Sequence, residues 1–281
     1  MRVVLASMGV EEFSYLHETV EAAGHTPVAY VMSRSMRPRR RADPETAESV
    51  QEVLTHLPGS VDMTLPADAT GVGRALVAAE ADLLVVYGFN WILPPEVFGA
   101  PHLGAINIHT SALPDYRGPA PVLWAIRNGD PTIGVTIHRI DEGVDTGPVL
   151  AQQTGIPLDD DITPERLRER LMPVIGSLLR TALDKVVRGE AGTPQAGAAT
   201  RYAGLLEPEF SHVDWTRPAR QIHDQVRVFR FMGSRSAPLA MVEGTWVRLI
   251  RTSLTPAAGP RVECGDGALW IVESEPFTTS G

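Results

Sequence analysis

The run Leu83-Leu84-Val85-Val86-Tyr87 offers no charge and no amide on either face before Gly88 interrupts it. Successive side chains of a strand point to opposite faces, so a strand of this kind has to be covered on both sides. Val3-Val4-Leu5-Ala6 repeats the pattern, and "TPVAYVM" at residues 26–32 comes close to it. Helical stripes lie between these runs. Phe13, Leu16, Val20 and Ala23 form one, with Gly24 as its stop. Asp43, Pro44 and Glu45 read as the cap, first-turn proline and first-turn acid of a second, with Val50, Val53, Leu54 and Leu57 as its buried face. A third surrounds Leu76, and the chain goes on through "GAINIH", a helix at residues 122–126 and "IGVTIHRI". Strands that alternate with helices and are apolar on both faces predict an α/β fold, a Rossmann-like, mostly parallel sheet with helices on both faces. Chemistry in such sheets collects at the carboxyl ends of the strands. Gly88, the loop after His109 and the loop after Ile140 are therefore expected on one rim.

The pattern changes further on. Thr163 and Pro164 open a long helix, after which "VRGEAGTPQAGAATRYAG" loses all periodicity. It reads as a linker at residues 188–204, between a first domain at 1–187 and a smaller one at 205–281. The second domain begins with a helix capped by Thr216, with Ile222, Val226 and Phe229 inward, and continues in short strands separated by Gly-containing turns. A small, β-barrel-like or curled sheet, OB-like but shortened, is expected there.

Bulk properties narrow the function. A net charge of −9 argues against broad attraction to nucleic acid or anionic membrane. No apolar run approaches the length that spans a bilayer, and the apolar N-terminal segment is too short for a signal peptide, so a cytoplasmic protein is expected. The lone cysteine, Cys264, excludes an intrachain disulfide, and its alternating context reads as a packed or partly exposed side chain rather than a nucleophile. One basic run, Arg37, Arg39, Arg40 and Arg41, is either a solvated loop or a clamp for a phosphate or carboxylate. There is no G-x-G-x-x-G after the first strand, no P-loop, no G-x-S-x-G and no H-E-x-x-H, so neither a nucleotide cofactor nor a metal is expected.

What remains is a polar trio. Asn107 and His109 share one face of a strand by their spacing of two, and Asp141 and Asp145 lie in a Gly-containing loop after the next strand. A carboxylate beside a histidine favours the imidazolium, and an amide N–H can hold a developing oxyanion. Such a set suits acyl transfer without a covalent intermediate. The spacing alone leaves a second reading open, in which both side chains merely satisfy a strand end.

"INIHTSALPDYRGPAP" together with "GVTIHRIDEGVDTG" resembles the signature of the formyltransferases that use 10-formyltetrahydrofolate. Asn107, His109, Ser111, Leu113, Pro114, Tyr116, Arg117, Gly118, Pro121, Asp145 and Gly147 all fit that pattern. "YGFNWILPPEVF" is similar to the family's loop whose backbone holds the pterin ring. The resemblance implies that Asn107 holds the formyl oxygen and that His109, charged by Asp145, steadies the oxyanion and relays a proton. It further implies a folate slot from Tyr87, Phe89, Trp91, Ile92 and Leu93 on one loop and Asp141, Glu142, Gly143 and Val144 on the other. Ser111, Tyr116, Arg117 and Gly118 would support the substrate loop, while His138 is either a further support or a core histidine. The implied acceptor is a primary or hydroxylated amine on a small or carrier-bound molecule. Methionyl-tRNA is the alternative, disfavoured because residues 201–281 hold nine arginines against nine Asp plus Glu. A non-catalytic folate-binding protein is a third class, and a homodimer is left open.

Overall fold

A computed structural model describes residues 1–42, 44–197, 201–233 and 237–277. From the N-terminus the elements are β1 (Arg2–Ala6), α1 (Val10–Ala22), β2 (Thr26–Val31), α2 (Pro44–His56), β3 (Asp62–Thr64), α3 (Ala69–Ala78) and β4 (Leu83–Tyr87). They continue as α4 (Pro95–Phe98), β5 (Ala105–His109), α5 (Pro121–Arg127), β6 (Thr132–Arg139), β7 (Val149–Pro157) and α6 (Pro164–Val187). A short 3-10 turn at Pro208–Ser211 precedes α7 (Ala219–Met232), β8 (Leu239–Val242), β9 (Thr245–Ser253), β10 (Arg261–Cys264) and β11 (Gly267–Pro276). Among the described residues no helix is long and apolar enough to cross a membrane.

The first seven strands form one sheet in the order β3-β2-β1-β4-β5-β6-β7. Its apolar runs are covered as their composition requires, with Val3, Val4, Leu5, Leu83, Leu84 and Val85 all fully buried. β1 pairs parallel with β2 and β4, β2 with β3, and β4 with β5, but β6 runs antiparallel to β5. That reversal corrects the single-rim expectation. Arg139 stands opposite Ile106, and the Ile140 N–H donates to the Ala105 carbonyl at 2.9 Å, so the loop after Ile140 leaves the sheet at the rim opposite to His109.

Local departures have local causes. In α2 only Val53 is fully buried and Leu54 is 56% exposed, because this helix packs on α1 and meets the core along a narrow line. Asp43, the expected cap, lies outside the described residues. The stretch 188–204 is bonded along much of its described length: Thr193 forms an antiparallel bridge with Val149, and the Tyr116 N–H donates to the Arg201 carbonyl at 2.9 Å.

By contacts the chain divides into two compact units. The first comprises Met1–Gly118, Gly134–Thr154 and Leu171–Tyr202; the second comprises Pro119–Ile133, Gly155–Arg170 and Ala203–Gly281. The second unit holds a four-stranded sheet, β10-β11-β9-β8, antiparallel throughout and bent by register shifts in β11. Its core joins Val226 of α7 to Ala240, Leu249 and Ile271. α7 starts at Ala219 rather than after Thr216. The Thr216 hydroxyl donates to Asp214, and the orphan N–H of Ala219 is taken at 2.8 Å by Asp266 from the β10–β11 turn. Half-buried Cys264 lies in β10, where burial, with Asp266 and Glu263 nearby, pushes its thiol up, as suits an inert side chain.

The polar side of α7 is buried as well. Arg227 and Asp224, each 2% exposed, pair at 2.6 Å, and the guanidinium also donates to the carbonyls of Leu158 and Asp159 at 3.1 and 2.9 Å. Removing one partner of a buried pair leaves an uncompensated charge, which costs about 3–5 kcal/mol. Arg227→Met is accordingly expected to lower the urea-unfolding free energy by about 3–5 kcal/mol. A loss under about 1 kcal/mol would mean that Arg220, 2.8 Å from the same carboxylate, satisfies Asp224 alone.

Candidate active site

Asn107 and His109 lie on one face of β5, opposite His138 and Thr136 of β6. Residues opposed in an antiparallel pair share a face, so the reversal of β6 gathers four polar side chains. The other face of β5 carries Ile106 and Ile108, both buried. His109 and His138 are buried, and Asn107 is partly exposed.

Asp145 arrives from the loop between β6 and β7. That loop is pinched at its root, where the Arg139 N–H donates to the Pro148 carbonyl at 2.9 Å. A Cβ on Gly147 would run into the Arg139 carbonyl oxygen, so only glycine fits there. Asp145 itself has φ 52°, in the left-handed region uncommon for side chains other than glycine. Its carboxylate accepts from the Gly118 N–H at 2.8 Å and from Asn107 Nδ2 at 3.3 Å. It also lies 3.7 Å from His109 Nδ1 and 3.5 Å from His138 Nε2. His109 Nε2 donates to the Tyr116 carbonyl at 2.8 Å. His138 Nδ1 donates to the Arg139 carbonyl at 2.8 Å, which leaves its Nε2 to accept from Asn107 Nδ2 at 3.2 Å.

A family model described as formyl transferase matches residues 1–183, well over half of the chain. The chain belongs to the formyl transferase family. A methionyl-tRNA formyltransferase of Synechococcus sp. (strain JA-2-3B'a(2-13)) is 38% identical over 198 residues, 69% of this chain and 59% of that protein. The chain thus spans about three fifths of that relative, 59% of its length. One from Methylobacterium nodulans is 32% identical over 292 residues, covering 98% of this chain and 92% of that protein. A solved N-formyltransferase from Helicobacter canadensis, in complex with folinic acid and dTDP-3-aminofucose, shares the fold. Its TM-score is 0.66 at 18% identity, over 99% of this chain and 100% of that one.

The expected catalytic, folate-slot and substrate-loop residues all fall in the first compact unit, while Pro121 of the same pattern falls in the second. Tyr116 has φ 58°, and the Ser111 hydroxyl donates to the Asp115 carbonyl at 2.6 Å. On the loop after β4, Phe89 and Trp91 meet edge-on at 5.5 Å; Trp91 and Leu93 are buried, and Ile92 between them is 78% exposed. Burial also pushes the Tyr87 phenol up, with Glu12 adding to the shift. On the other loop, Asp141 Oδ1 accepts from the Thr146 hydroxyl at 2.6 Å and the Gly143 N–H at 3.1 Å, while Glu142, Gly143 and Val144 are exposed. Phe89 and Ile140 pack against one core cluster that includes Trp91 and Leu93, so both loops share a root. In the basic run, Arg37, Arg40 and Arg41 are exposed and Arg39 pairs at 2.9 Å with Asp68, the cap of α3.

Three residues of this site went unread in the sequence. Thr136 donates to the Ser111 carbonyl at 2.7 Å and accepts from the Leu113 N–H and from Gln152, at 3.1 and 2.8 Å. Its spacing of two from His138 could have found it. Gln152 and Gln195 had no such signal.

Burial pushes the His109 imidazole down, and Asp145 with the Tyr116 carbonyl, both of which favour the charged ring, offset this only in part. Asp145 thus favours the charged His109 ring, as the resemblance implies, but burial outweighs it. Burial raises the Asp145 carboxyl, but His138, His109 and the Gly118 N–H outweigh it and hold the group below the usual carboxylate range. Both groups are displaced downward, the imidazole toward its neutral form and the carboxyl toward its charged form.

This state has a stability signature. An unfolded histidine takes its proton near pH 6.5, whereas folded His109 takes it only at lower pH. Stability is therefore complete above that value and lost as pH falls through the lowered folded value. His223 is displaced the same way, chiefly by burial. Urea unfolding between roughly pH 8 and pH 5 should show stability declining on the acid side, with a shallower decline in His109→Asn. An identical slope in that variant would contradict the assignment.

Proposed function

We propose that the chain transfers the formyl group of 10-formyltetrahydrofolate to an amine. The observation that carries this reading is the convergence of Asn107 and His109, on one face of β5, with the Asp145 carboxylate, at 3.3 and 3.7 Å. The folate slot fits the same reading. Ile92 and Val144, one on each of the two loops, leave a large apolar side chain in solvent, at 78% and 39% exposure. Such side chains beside main-chain groups suit a planar, polar-edged ring.

The bound folate would supply an activated formyl carbon; the chain's own groups handle oxygen and proton. Asn107 Nδ2 engages His138 at 3.2 Å and Asp145 at 3.3 Å, both long for amide hydrogen bonds. The formyl oxygen takes over one of these N–H groups as its charge develops. His109 has its Nε2 proton committed to the Tyr116 carbonyl, so Nδ1 is the accepting nitrogen. The 3.7 Å between Nδ1 and Asp145 is too long for a direct bond and suits a relay through the proton leaving the amine or through a water. Once protonated, the ring has Asp145 as counter-ion.

We place the acceptor among small or carrier-bound amines such as an amino sugar, an amino acid or a biosynthetic intermediate. The net charge of −9 and the balance of nine arginines against nine acids in residues 201–281 support this, since gripping phosphates calls for basic excess. Methionyl-tRNA is the second reading, favoured by the activity named for the Synechococcus and Methylobacterium relatives and by the exposed Arg37, Arg40 and Arg41.

Asn107→Ala is expected to lower turnover by about 10²-fold or more while tetrahydrofolate binding changes little. Undiminished turnover in that variant would remove Asn107 from the oxygen's path. The acceptor is read by release of tetrahydrofolate from 10-formyltetrahydrofolate with separate pools of amino-sugar nucleotides, amino acids, hydroxyornithine and charged initiator tRNA. Release with one small-amine pool supports the first reading, and release only with the tRNA supports the second. Folate binding without release in any pool would leave a binding protein.

A further inference from the structure

We infer that Gln195 is a positioning residue for Asp145, and that the aperiodic stretch around it is a working part of the site. The consequence for turnover rests on the formyl-transfer reading; the geometry does not. Gln195 is half-buried, and its amide is used to capacity. Oε1 accepts from Nε and Nη2 of Arg117 at 3.1 and 2.6 Å. Nε2 donates to the carbonyls of Asp145 and Gly147 at 2.8 and 2.9 Å. Few side chains can do both. Glutamate has no donor for the two carbonyls, arginine and lysine have no acceptor for the guanidinium, and asparagine is one methylene shorter.

What the amide joins explains why this matters. On one side is the turn that follows the left-handed Asp145, whose two carbonyls would otherwise lack these donors. On the other is the loop of Tyr116, Arg117 and Gly118. There the Tyr116 carbonyl holds His109 Nε2 and the Gly118 N–H holds Asp145 Oδ2. One side chain therefore ties the segment that carries the carboxylate to the segment that orients the histidine. The stretch is itself anchored on either side of Gln195, by the Thr193–Val149 bridge and by the Tyr116 N–H on the Arg201 carbonyl. Without the amide, the Asp145 turn is free to relax and the carboxylate to leave Gly118 and His109.

The test uses Gln195→Met, nearly isosteric but with neither donor nor acceptor, and Gln195→Glu, which keeps an acceptor for Arg117 and loses the donors. The first readout is independent of activity. Ring-proton NMR, with the His109 signal assigned from His109→Asn, follows the titration of a ring that faces Asp145, His138 and the Tyr116 carbonyl. Moving Asp145 away removes a contact that favours the charged ring, so in Gln195→Met the His109 midpoint should fall by about half a pH unit or more. The second readout is kinetic: both variants should lose on the order of 10²-fold in kcat with tetrahydrofolate affinity kept within about twofold. A wild-type His109 midpoint in Gln195→Met, wild-type kcat in Gln195→Glu, or folate affinity lost in step with kcat would each overturn the inference. If the wild-type protein transfers no formyl group to any acceptor, the functional reading falls, and the His109 titration still decides the role of Gln195.

Discussion

The partly buried Asp145 carboxylate lies between two histidines, and the groups around it come from three separate segments, β5, the loop that follows it and β6. Taking a carboxylate out of water costs several kcal/mol even after relaxation. A hydrogen bond to a charged group returns about 1.5–3 kcal/mol. The Gly118 N–H and the Asn107 amide together offset much of that cost, and neither suffices alone. The backbone is also held in the left-handed region at Asp145 and Tyr116, at about 1–3 kcal/mol each. A site that stores both costs needs a scaffold that cannot relax, and the fully buried strands beneath it meet that need.

The reversal of β6 is the topological step that makes the site possible. A parallel β6 would have sent its following loop to the rim that carries His109. Antiparallel pairing instead puts His138 opposite Asn107 and Thr136 opposite His109, and the loop after Ile140 brings Asp145 back to that polar face from the far rim. Both histidines then donate to main-chain carbonyls, Tyr116 for one and Arg139 for the other, so the orientation of each ring is fixed by backbone rather than by another mobile side chain.

This explains what a reading of residues could and could not reach. The both-faced apolar runs, the helical stripes and the period-two placement of Asn107 and His109 are local patterns, and each predicted its element or face. The direction of β6 is decided by which neighbour it pairs with, and nothing within "IGVTIHRI" encodes that. The same limit applies to α7, whose first N–H is capped by Asp266 from 47 residues away. It applies equally to Gln195, which sits in a stretch whose lack of periodicity suggests a tether. Leu54 shows the converse: a stripe wide enough on paper for burial meets a contact line too narrow to use it. Burial also set the state of His109, because a carboxylate neighbour is visible in a motif and the absence of solvent around the ring is not.

That state bears directly on the chemistry. A charged His109 beside Asp145 would be a satisfied ion pair with no reason to accept another proton. With His109 neutral and Asp145 ionised, the pair carries one net negative charge in surroundings of low dielectric, where an uncompensated charge is least stable. On the proposed reading, uptake of the amine's proton would remove that imbalance and make the 3.7 Å approach of Nδ1 and Oδ2 an attractive contact. Burial makes that uptake less favourable than for a free imidazole, and Asp145, which favours the charged ring, restores only part of the loss, so a proton taken up by His109 is also readily given back.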